Sequence, residues 1–425
     1  MKKLLSLYML IVTSMFAVDA NLEIVKDVNT IPKVLISISS DTNESSTLNK
    51  IESLLKKDLE ISGYFDIIKK PENINQMEFN QYPDYIRLAN SDVDIFLNIS
   101  AKKNDDDSYT FYTKLYDINS QEMLLQKSYT TLKEERYPFL AHRTAISISK
   151  QFDAPNINWM DKFVVFSVYK DSGKANIMIG DYTLTFRKTI VSGGLNIFPK
   201  WASDKQRSIY YTSYNYEKPT IVKLNMYTRQ KDIIMQSDGM IVTSDVNHNG
   251  SKLLITAAPK GQPDVYLYDT YSKTNEKVTN YSGIDVSAEF LDNENRMVFV
   301  SDRLGYPNIF AKNFNSRGVE RLVYHSRNNS SATAYKNSIV YVSRDRENEL
   351  SKKSFNLYLI STLSDDLKKL TSNGVNQFPK FSKNGESLLY IKTFEDKSSL
   401  GIIRLNFDKS YMFPLANGRI QSIDW

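Results

Sequence analysis

The side chains that could carry chemistry in this chain are few, and their spacing is poor for catalysis. The 425 residues include three histidines, His142, His248 and His325, and no cysteine. No two histidines have the separation of a metal-binding pair, and without cysteine there are no disulfides, thiolate metal sites or cysteine nucleophiles. The G-x-S-x-G turn that presents a serine nucleophile is also absent. The sequence therefore predicts no enzyme, no cofactor and no metal site.

Two groups of carboxylates could be taken for cation sites. Residues 245–250, DVNHNG, alternate oxygen-bearing side chains before a glycine as a calcium loop does, but Thr256 stands where that loop needs its glutamate. Residues 105–107, DDD, lie between two predicted strands, where charge runs are usually solvated turns. The first stretch is therefore predicted to be a hairpin turn and the second a solvated turn between strands.

The amino-acid composition excludes further classes of protein. With 41% hydrophobic and 24% charged residues the chain has the composition of a globular protein. Its 54 basic and 49 acidic residues give a net charge of +5, which is too small for this length to predict a nucleic-acid partner.

The first twenty residues have the pattern of a secretory signal. Lys2 and Lys3 precede an apolar run over residues 4–18, and small residues follow at 18–20. The run is shorter than the roughly 20 apolar residues of a spanning helix. We expect residues 1–20 to be a signal peptide and the exported chain to begin at Asn21, with a retained membrane anchor as the alternative.

The elements that must position any functional side chain follow two different patterns. Residues 21–152 alternate between strands and helices, with predicted helices at 45–61 and 133–152, which predicts a small α/β domain. Residues 156–425 instead repeat a four-strand unit six times at a period of about 45 residues. This predicts a six-bladed β-propeller, closed by the C-terminal strand that ends at Trp425.

Several stretches resemble the TolB family of periplasmic propellers. In the repeats they are residues 198–213 (FPKWASDKQRSIYYTS), 301–310 (SDRLGYPNIF) and 378–392 (FPKFSKNGESLLYIK). In the first region, residues 91–117 (SDVDIFLNISAKKNDDDSYTFYTKLYD) resemble the core of the TolB amino-terminal domain. The Pro-Trp or Pro-Phe signature of the family repeat is kept near Trp201 and Phe381 but is missing from the three blades between them.

The resemblance implies a function and partners. TolB-like proteins are non-enzymatic and periplasmic, and they bind the peptidoglycan-associated lipoprotein Pal through one mouth of the propeller. They contact TolA through their amino-terminal segment and meet other Tol or outer-membrane proteins, so they are peripheral to the membrane through partners only. Together these proteins support outer-membrane integrity and its invagination during cell division.

The same resemblance implies two sets of site residues. Residues 21–31 would be the segment that docks on TolA, through Asn21, Leu22, Glu23, Ile24 and Val25. The Pal-binding mouth would use Ser237 and Asp285, with Asn196, Met240, Asn328 and Gln377 as their equivalents in other blades.

Two other functions remain open on the residues alone. One is an exported propeller that binds cell-wall glycan or another envelope protein, with the small domain as an adaptor. The other is an exported hydrolase or lyase that uses the propeller as a substrate filter, which the shortage of catalytic groups disfavours.

Overall fold

The computed structural model describes residues 31–42, 46–171, 173–291, 294–324, 326, 328–344, 354–364, 366–395 and 397–425. The predicted signal peptide, residues 21–30 of the predicted TolA segment and His325 lie outside these ranges.

The first region is a five-stranded mixed sheet covered by helices on both faces. Its strands are β1 (Lys33–Ile38), β2 (Asp66–Ile67), β3 (Ile95–Lys103), β4 (Tyr109–Asp117) and β5 (Glu122–Thr131), in the order β2-β1-β3-β4-β5. β1 runs parallel to β2 and β3, whereas β3, β4 and β5 are antiparallel. The helices are α1 (Ser46–Ser62), α2 (Tyr85–Asn90) and α3 (Pro138–Gln151). The predicted small α/β domain is therefore confirmed.

The helices follow from the positions of their apolar residues. Leu48, Ile51, Leu55 and Leu59 recur at helical spacing along α1, and all four are fully buried against α3 and one face of the sheet. Burying each such side chain contributes about 1.5–3 kcal/mol to folding. Gly63 follows α1 at a φ of +79°, the left-handed conformation in which helices often end.

The last helix of this domain is shorter than predicted. A 3₁₀ turn spans Glu134–Arg136, and α3 begins only at Pro138. Proline has no backbone N–H to donate and is tolerated in the first turn of a helix but not inside one. The prediction of a continuous helix over residues 133–152 was therefore wrong at its start.

The second region consists of four-stranded antiparallel units. The first unit contains β6 (Val164–Asp171), β7 (Lys174–Gly180) and β8 (Arg187–Val191), and the second contains β9 (Asn196–Trp201), β10 (Ser208–Ser213), β11 (Thr220–Asn225) and β12 (Lys231–Gln236). The third is formed by β13 (Ile241–Val246), β14 (Lys252–Ala257), β15 (Asp264–Asp269) and β16 (Asn275–Lys277). The fourth comprises β17 (Asp285–Leu291), β18 (Arg296–Ser301), β19 (Asn308–Asn313) and β20 (Glu320–Arg321).

The last two units are joined into one sheet by a single bridge between Phe355 and Val375. They contain β21 (Asn329–Tyr335), β22 (Ser338–Arg344), β23 (Phe355–Ser361) and β24 (Leu367–Lys369), then β25 (Val375–Phe381), β26 (Ser387–Phe394), β27 (Lys397–Arg404) and β28 (Lys409–Pro414). The final strand, β29 (Arg419–Asp424), pairs with β6 and so becomes the innermost strand of the first unit.

The innermost strands surround a common axis. Contacts run from β9 to β13, β17, β21, β25 and β29, and from β29 back to β9. The second strand of each unit is buried on both faces, which explains why its sequence is an unbroken apolar run and does not alternate. This arrangement is that of a β-propeller.

The small domain docks on the propeller through a buried polar cluster. His142 of α3 lies between two carboxylates, with Nδ1 2.7 Å from Asp58 Oδ2 and Nε2 3.4 Å from Asp181 Oδ2. The Tyr182 hydroxyl donates to Asp58 Oδ1 at 2.6 Å. Asp58 and His142 belong to the small domain and Asp181 and Tyr182 to the first propeller unit, and all four are fully buried.

The charge of His142 holds this docking cluster together. Burial by itself would lower the pKa of His142, but Asp58 and Asp181 raise it to about 10. Burial acts against ionisation of Asp181 too, yet His142 leaves the pKa of Asp181 below its usual value. At neutral pH the ring is therefore an imidazolium that donates to both carboxylates.

Candidate functional site

Two residues of the predicted Pal mouth are buried structural groups. Asn196 and Asp285 are the first residues of their inner strands and are 1% and 0% exposed. Asn196 donates to the Gly193 carbonyl at 2.7 Å, and Asp285 accepts from Arg303 Nη2 at 3.0 and 3.1 Å. Because their hydrogen-bonding atoms hold neighbouring turns and strands, these side chains support the mouth from within.

The strand register changes which residues are equivalent. Opposite the second strand of each unit, Asn196, Ile241, Asp285, Asn329 and Asn376 occupy the matching first position. The predicted equivalents Met240 and Asn328 stand one residue before it, and Gln377 one residue after it. The equivalence assigned from sequence was wrong by one residue in three blades, because the loops before the inner strands differ in length.

The remaining mouth residues differ in exposure. Met240 is 39% exposed, Asn328 is exposed and Gln377 is half-buried, whereas Ser237 is 5% exposed. The mouth thus offers Met240, Asn328 and Gln377 at its surface.

A cavity of about 260 Å³ opens at this end of the propeller axis, and we call it the funnel cavity. Every inner strand contributes to its wall, through Phe198, Val242, Val286, Ala332, Phe378 and Ile423. Met240 lines it as well, so the funnel cavity lies at the predicted mouth.

The inner strands carry a bulge where they line the funnel cavity. Phe198, Ser287, Ser331 and Phe378 occupy matching positions and have φ values of 51°, 54°, 45° and 51°. The pairing with the second strand shifts at the same place. Left-handed backbone is costly for a residue with a side chain and clusters at functional sites in proteins.

Charged side chains close the funnel cavity at its inner end. Lys380 Nζ lies 2.9 Å from Glu289, 3.1 Å from Asp245 and 3.8 Å from Asp424. Lys200 Nζ lies 3.6 Å from Asp424. These five residues, which we call the charged septum, come from five different inner strands, and Thr333 holds the corresponding position in the sixth.

The charged septum also ties neighbouring blades together. Asp424 accepts the Trp201 backbone N–H at 2.9 Å, and Asp245 accepts the Phe290 backbone N–H at 3.0 Å. A second cavity of about 140 Å³ lies beyond the septum, lined by later residues of the inner strands such as Trp201, Asp245 and Trp425. Lys380 reaches both cavities, so the septum divides the axial channel.

Burial and mutual attraction set the protonation of the septum. Burial raises the pKa of Glu289, with repulsion from Asp245 adding to it and Lys380 opposing it. Burial also lowers the pKa of Lys200, and repulsion from Lys380 lowers it further. For Lys380 the three carboxylates outweigh burial and raise the pKa well above its ordinary value.

The sequence contained a signal for the septum that the catalytic motifs do not capture. A charged residue precedes the last residue of the inner-strand segment in five repeats, as in Lys200-Trp201, Lys380-Phe381 and Asp424-Trp425. A buried strand with a charge at one fixed place in each repeat indicates that these charges meet at the axis.

The other candidate chemical groups have structural roles. Residues 247–250 form a hairpin turn in which Asn247 donates to Glu294 and accepts the Lys252 N–H. His248 is exposed and lies 2.5 Å from Asp204. Across the described ranges, no group of three or more His, Asp and Glu side chains is arranged to hold a metal ion. No helix in the described part of the chain is long and apolar enough to cross a membrane.

Fold and site define the class of protein: a small α/β domain docked on a β-propeller that has an open funnel and a closed axis. The family model for the TolB amino-terminal domain matches residues 20–124, and that for the TolB beta propeller domain matches residues 161–425. The chain belongs to the TolB family.

Relatives match over the whole length. Proteins named Tol-Pal system protein TolB are 44% identical in Wolinella succinogenes, with 97% of both chains covered, and 42% identical in Helicobacter hepaticus, with 98% covered. The protein of that name from Campylobacter jejuni strain RM1221 is 38% identical, with 100% covered. The crystal structure of TolB from Acinetobacter baumannii has a TM-score of 0.77 at 21% identity and covers 93% of this chain and 97% of that one, which shows the common fold.

Proposed function

We propose that the chain is a non-enzymatic periplasmic component of a Tol-Pal system and that its funnel cavity binds the lipoprotein Pal. The observation that carries this proposal is the full-length match to relatives named Tol-Pal system protein TolB. The open funnel supports it, because a rigid propeller mouth with apolar walls is suited to receive a protein loop. Residues 1–20 have the pattern of an export signal, which supports a periplasmic location.

Met240 is the mouth residue best placed to contact Pal. It is partly exposed and lines the funnel cavity, whereas Asn196 and Asp285 are occupied inside the fold. Replacing the Asp285 carboxylate by a basic side chain would break its ion pair with Arg303, so such a variant would test folding more than binding. A charge at Met240 changes the mouth surface itself.

The test is isothermal titration of the exported chain from Asn21 with soluble Pal of the same organism. We expect saturable binding that Met240→Asp weakens at least tenfold, because a carboxylate would have to be desolvated against apolar walls. Met123→Asp is the matched control, since Met123 is 45% exposed in the small domain. Absence of binding by a folded wild-type protein would contradict the proposal.

We further propose that residues 21–25 contact TolA and that this segment is coupled to Pal binding. Ile31, the first described residue after this segment, is 49% exposed and lies two residues before β1. Coupling between two sites must be reciprocal. The same titration with a chain that begins at Pro32 should therefore give a different Pal affinity, and equal affinities would refute the coupling.

A further inference from the structure

The funnel cavity contains polar groups whose hydrogen-bonding capacity is unused. Lys200 lines the cavity with 13% of its side chain exposed, and its Nζ, which can donate three hydrogen bonds, lies 3.6 Å from Asp424, an ion-pair distance. Thr243 also lines the cavity, and its buried hydroxyl has no hydrogen-bond partner within the described ranges. A buried hydroxyl without a partner among the described residues, such as that of Thr243, indicates a missing partner, and Lys200 offers free donor capacity beside it.

The charges around the cavity restrict the charge of that partner. Lys200 and Lys380 would repel a basic group, while Glu289, with Asp245 and Asp424 behind it, would repel an acidic one. Lys200 and Glu289 interact with the same charged neighbours, so an added charge of either sign at the cavity floor would lie close to a like charge. A neutral guest avoids both penalties.

The shape and walls restrict the guest further. The cavity volume of about 260 Å³ corresponds to about eight waters and accommodates one amino-acid side chain. Its walls are mainly apolar, with Phe198, Phe378 and Val286 around the polar floor. The guest must therefore combine an aliphatic stem with a neutral tip that both accepts and donates hydrogen bonds.

We propose that the funnel cavity receives the primary amide of an asparagine or glutamine side chain from a loop of the partner protein. The amide carbonyl accepts from Lys200 Nζ, and the amide nitrogen donates to the Glu289 carboxylate. Identifying the loop as part of Pal rests on the function proposed above, whereas the preference for an amide rests on the cavity alone.

Small probes of similar size but different charge test the preference for an amide without any partner protein. The full exported chain with ¹³C-labelled methionine methyl groups is titrated separately with propionamide, propionate and propylammonium. We expect propionamide alone to shift the Met240 methyl signal, while the Met123 signal stays unchanged. Equal shifts with propionate or propylammonium, or no shift with any probe, would overturn the proposal.

Variants locate the contact. Lys200→Met removes the donor at similar volume and should abolish the propionamide shift, and Thr243→Val should weaken it, so that either variant alone can carry the test if the other fails to fold. Lys383→Met is the control, because Lys383 pairs with Asp204 and lies outside the funnel cavity. A shift that survives both cavity variants would contradict the assigned contacts.

Titration with Pal then separates this inference from the proposed function. We expect Lys200→Met to weaken Pal binding at least tenfold, and one Asn→Ala or Gln→Ala variant of Pal to show no further loss in the Lys200→Met background. If wild type and Lys200→Met bind Pal equally, the proposed amide contact is refuted, but the proposed function is not. If propionamide shifts the Met240 signal but Pal does not bind, the proposed function is refuted, but the amide site is not.

Discussion

His142 is a single side chain that links the small domain to the propeller within a buried ionic cluster. Its ring is enclosed by Asp58, Asp181 and Tyr182, with no exposure to solvent. Two buried carboxylates on different domains would repel each other without the imidazolium between them. Removing one partner from such a buried ionic cluster typically costs about 3–5 kcal/mol.

The raised pKa of His142 predicts how stability depends on pH. Because the pKa in the fold, about 10, is above the ordinary value of 6.5, the stabilisation is complete below pH 6.5 and is lost as pH rises toward 10. We expect His142→Phe to lower the free energy of unfolding by about 3–5 kcal/mol at neutral pH. The gap between wild type and variant should shrink toward pH 10, measured by urea unfolding across the pH range.

The control for this prediction is His248→Phe. His248 is a histidine on an exposed turn with 76% of its side chain accessible, so its replacement should leave the pH profile nearly unchanged. Parallel profiles for wild type and His142→Phe would contradict a charged His142.

At the scale of elements, the blades are held in register by turns that fit against the neighbouring blade. Gly250 ends the turn between β13 and β14 at a φ of +77°, and a Cβ there would collide with the Ala202 carbonyl oxygen of the preceding blade. The turn therefore packs directly against the backbone of the preceding blade. A backbone carbonyl cannot rotate away as a flexible side chain could.

Gly250→Ala should destabilise the propeller by more than the cost of placing alanine in a left-handed backbone conformation. Gly305 has a similar φ of +80° but open space within 4 Å of the point where a Cβ would stand, so Gly305→Ala measures only the backbone cost of about 1–2 kcal/mol. We expect Gly250→Ala to cost at least about 1 kcal/mol more, because the blades must separate. Equal losses in thermal unfolding would refute a tight contact between the blades.

An element of this fold can be predicted from the sequence when the residues that define it are close together in the chain. The second strands and helix α1 were predictable because their apolar spacing is contained in a few residues. The septum was not predicted, since the chain passes through two blades between Glu289 and Lys380 and through three between Asp245 and Lys380 before these side chains meet. The mouth register failed by one residue in three blades because the loops before the inner strands differ in length, and β13 and β21 also lack the Pro-Trp signature that would help to align them.

At the scale of the whole molecule, the first and last propeller segments meet in one sheet. β29 pairs with β6, with Ile420 opposite Val168 and Asp424 opposite Val165, and the Trp425 indole donates to the Phe381 carbonyl at 2.9 Å. The last strand thus contacts blades on both sides of the closure.

Deleting residues 421–425 should therefore open the propeller. We expect the melting temperature to fall by about 10 °C or more, because the loss of the strand exposes apolar faces of two blades. Trp425→Phe is the control, since it removes one hydrogen bond while keeping the strand, and it should lower the melting temperature by only a few degrees. An unchanged melting temperature after the deletion would refute closure by this strand.

The three tryptophans of the chain are concentrated at this closure. Trp159 follows the small domain, Trp201 donates to the Phe163 carbonyl, and Trp425 ends the last strand with its ring 5.3 Å from that of Trp159. Tryptophan fluorescence, excited selectively over that of the 27 tyrosines, therefore reports on one place only, where the domain junction and the strand closure meet. The protein carries its own optical probe there, so a change of emission on adding a partner would reveal movement at this junction without any attached label.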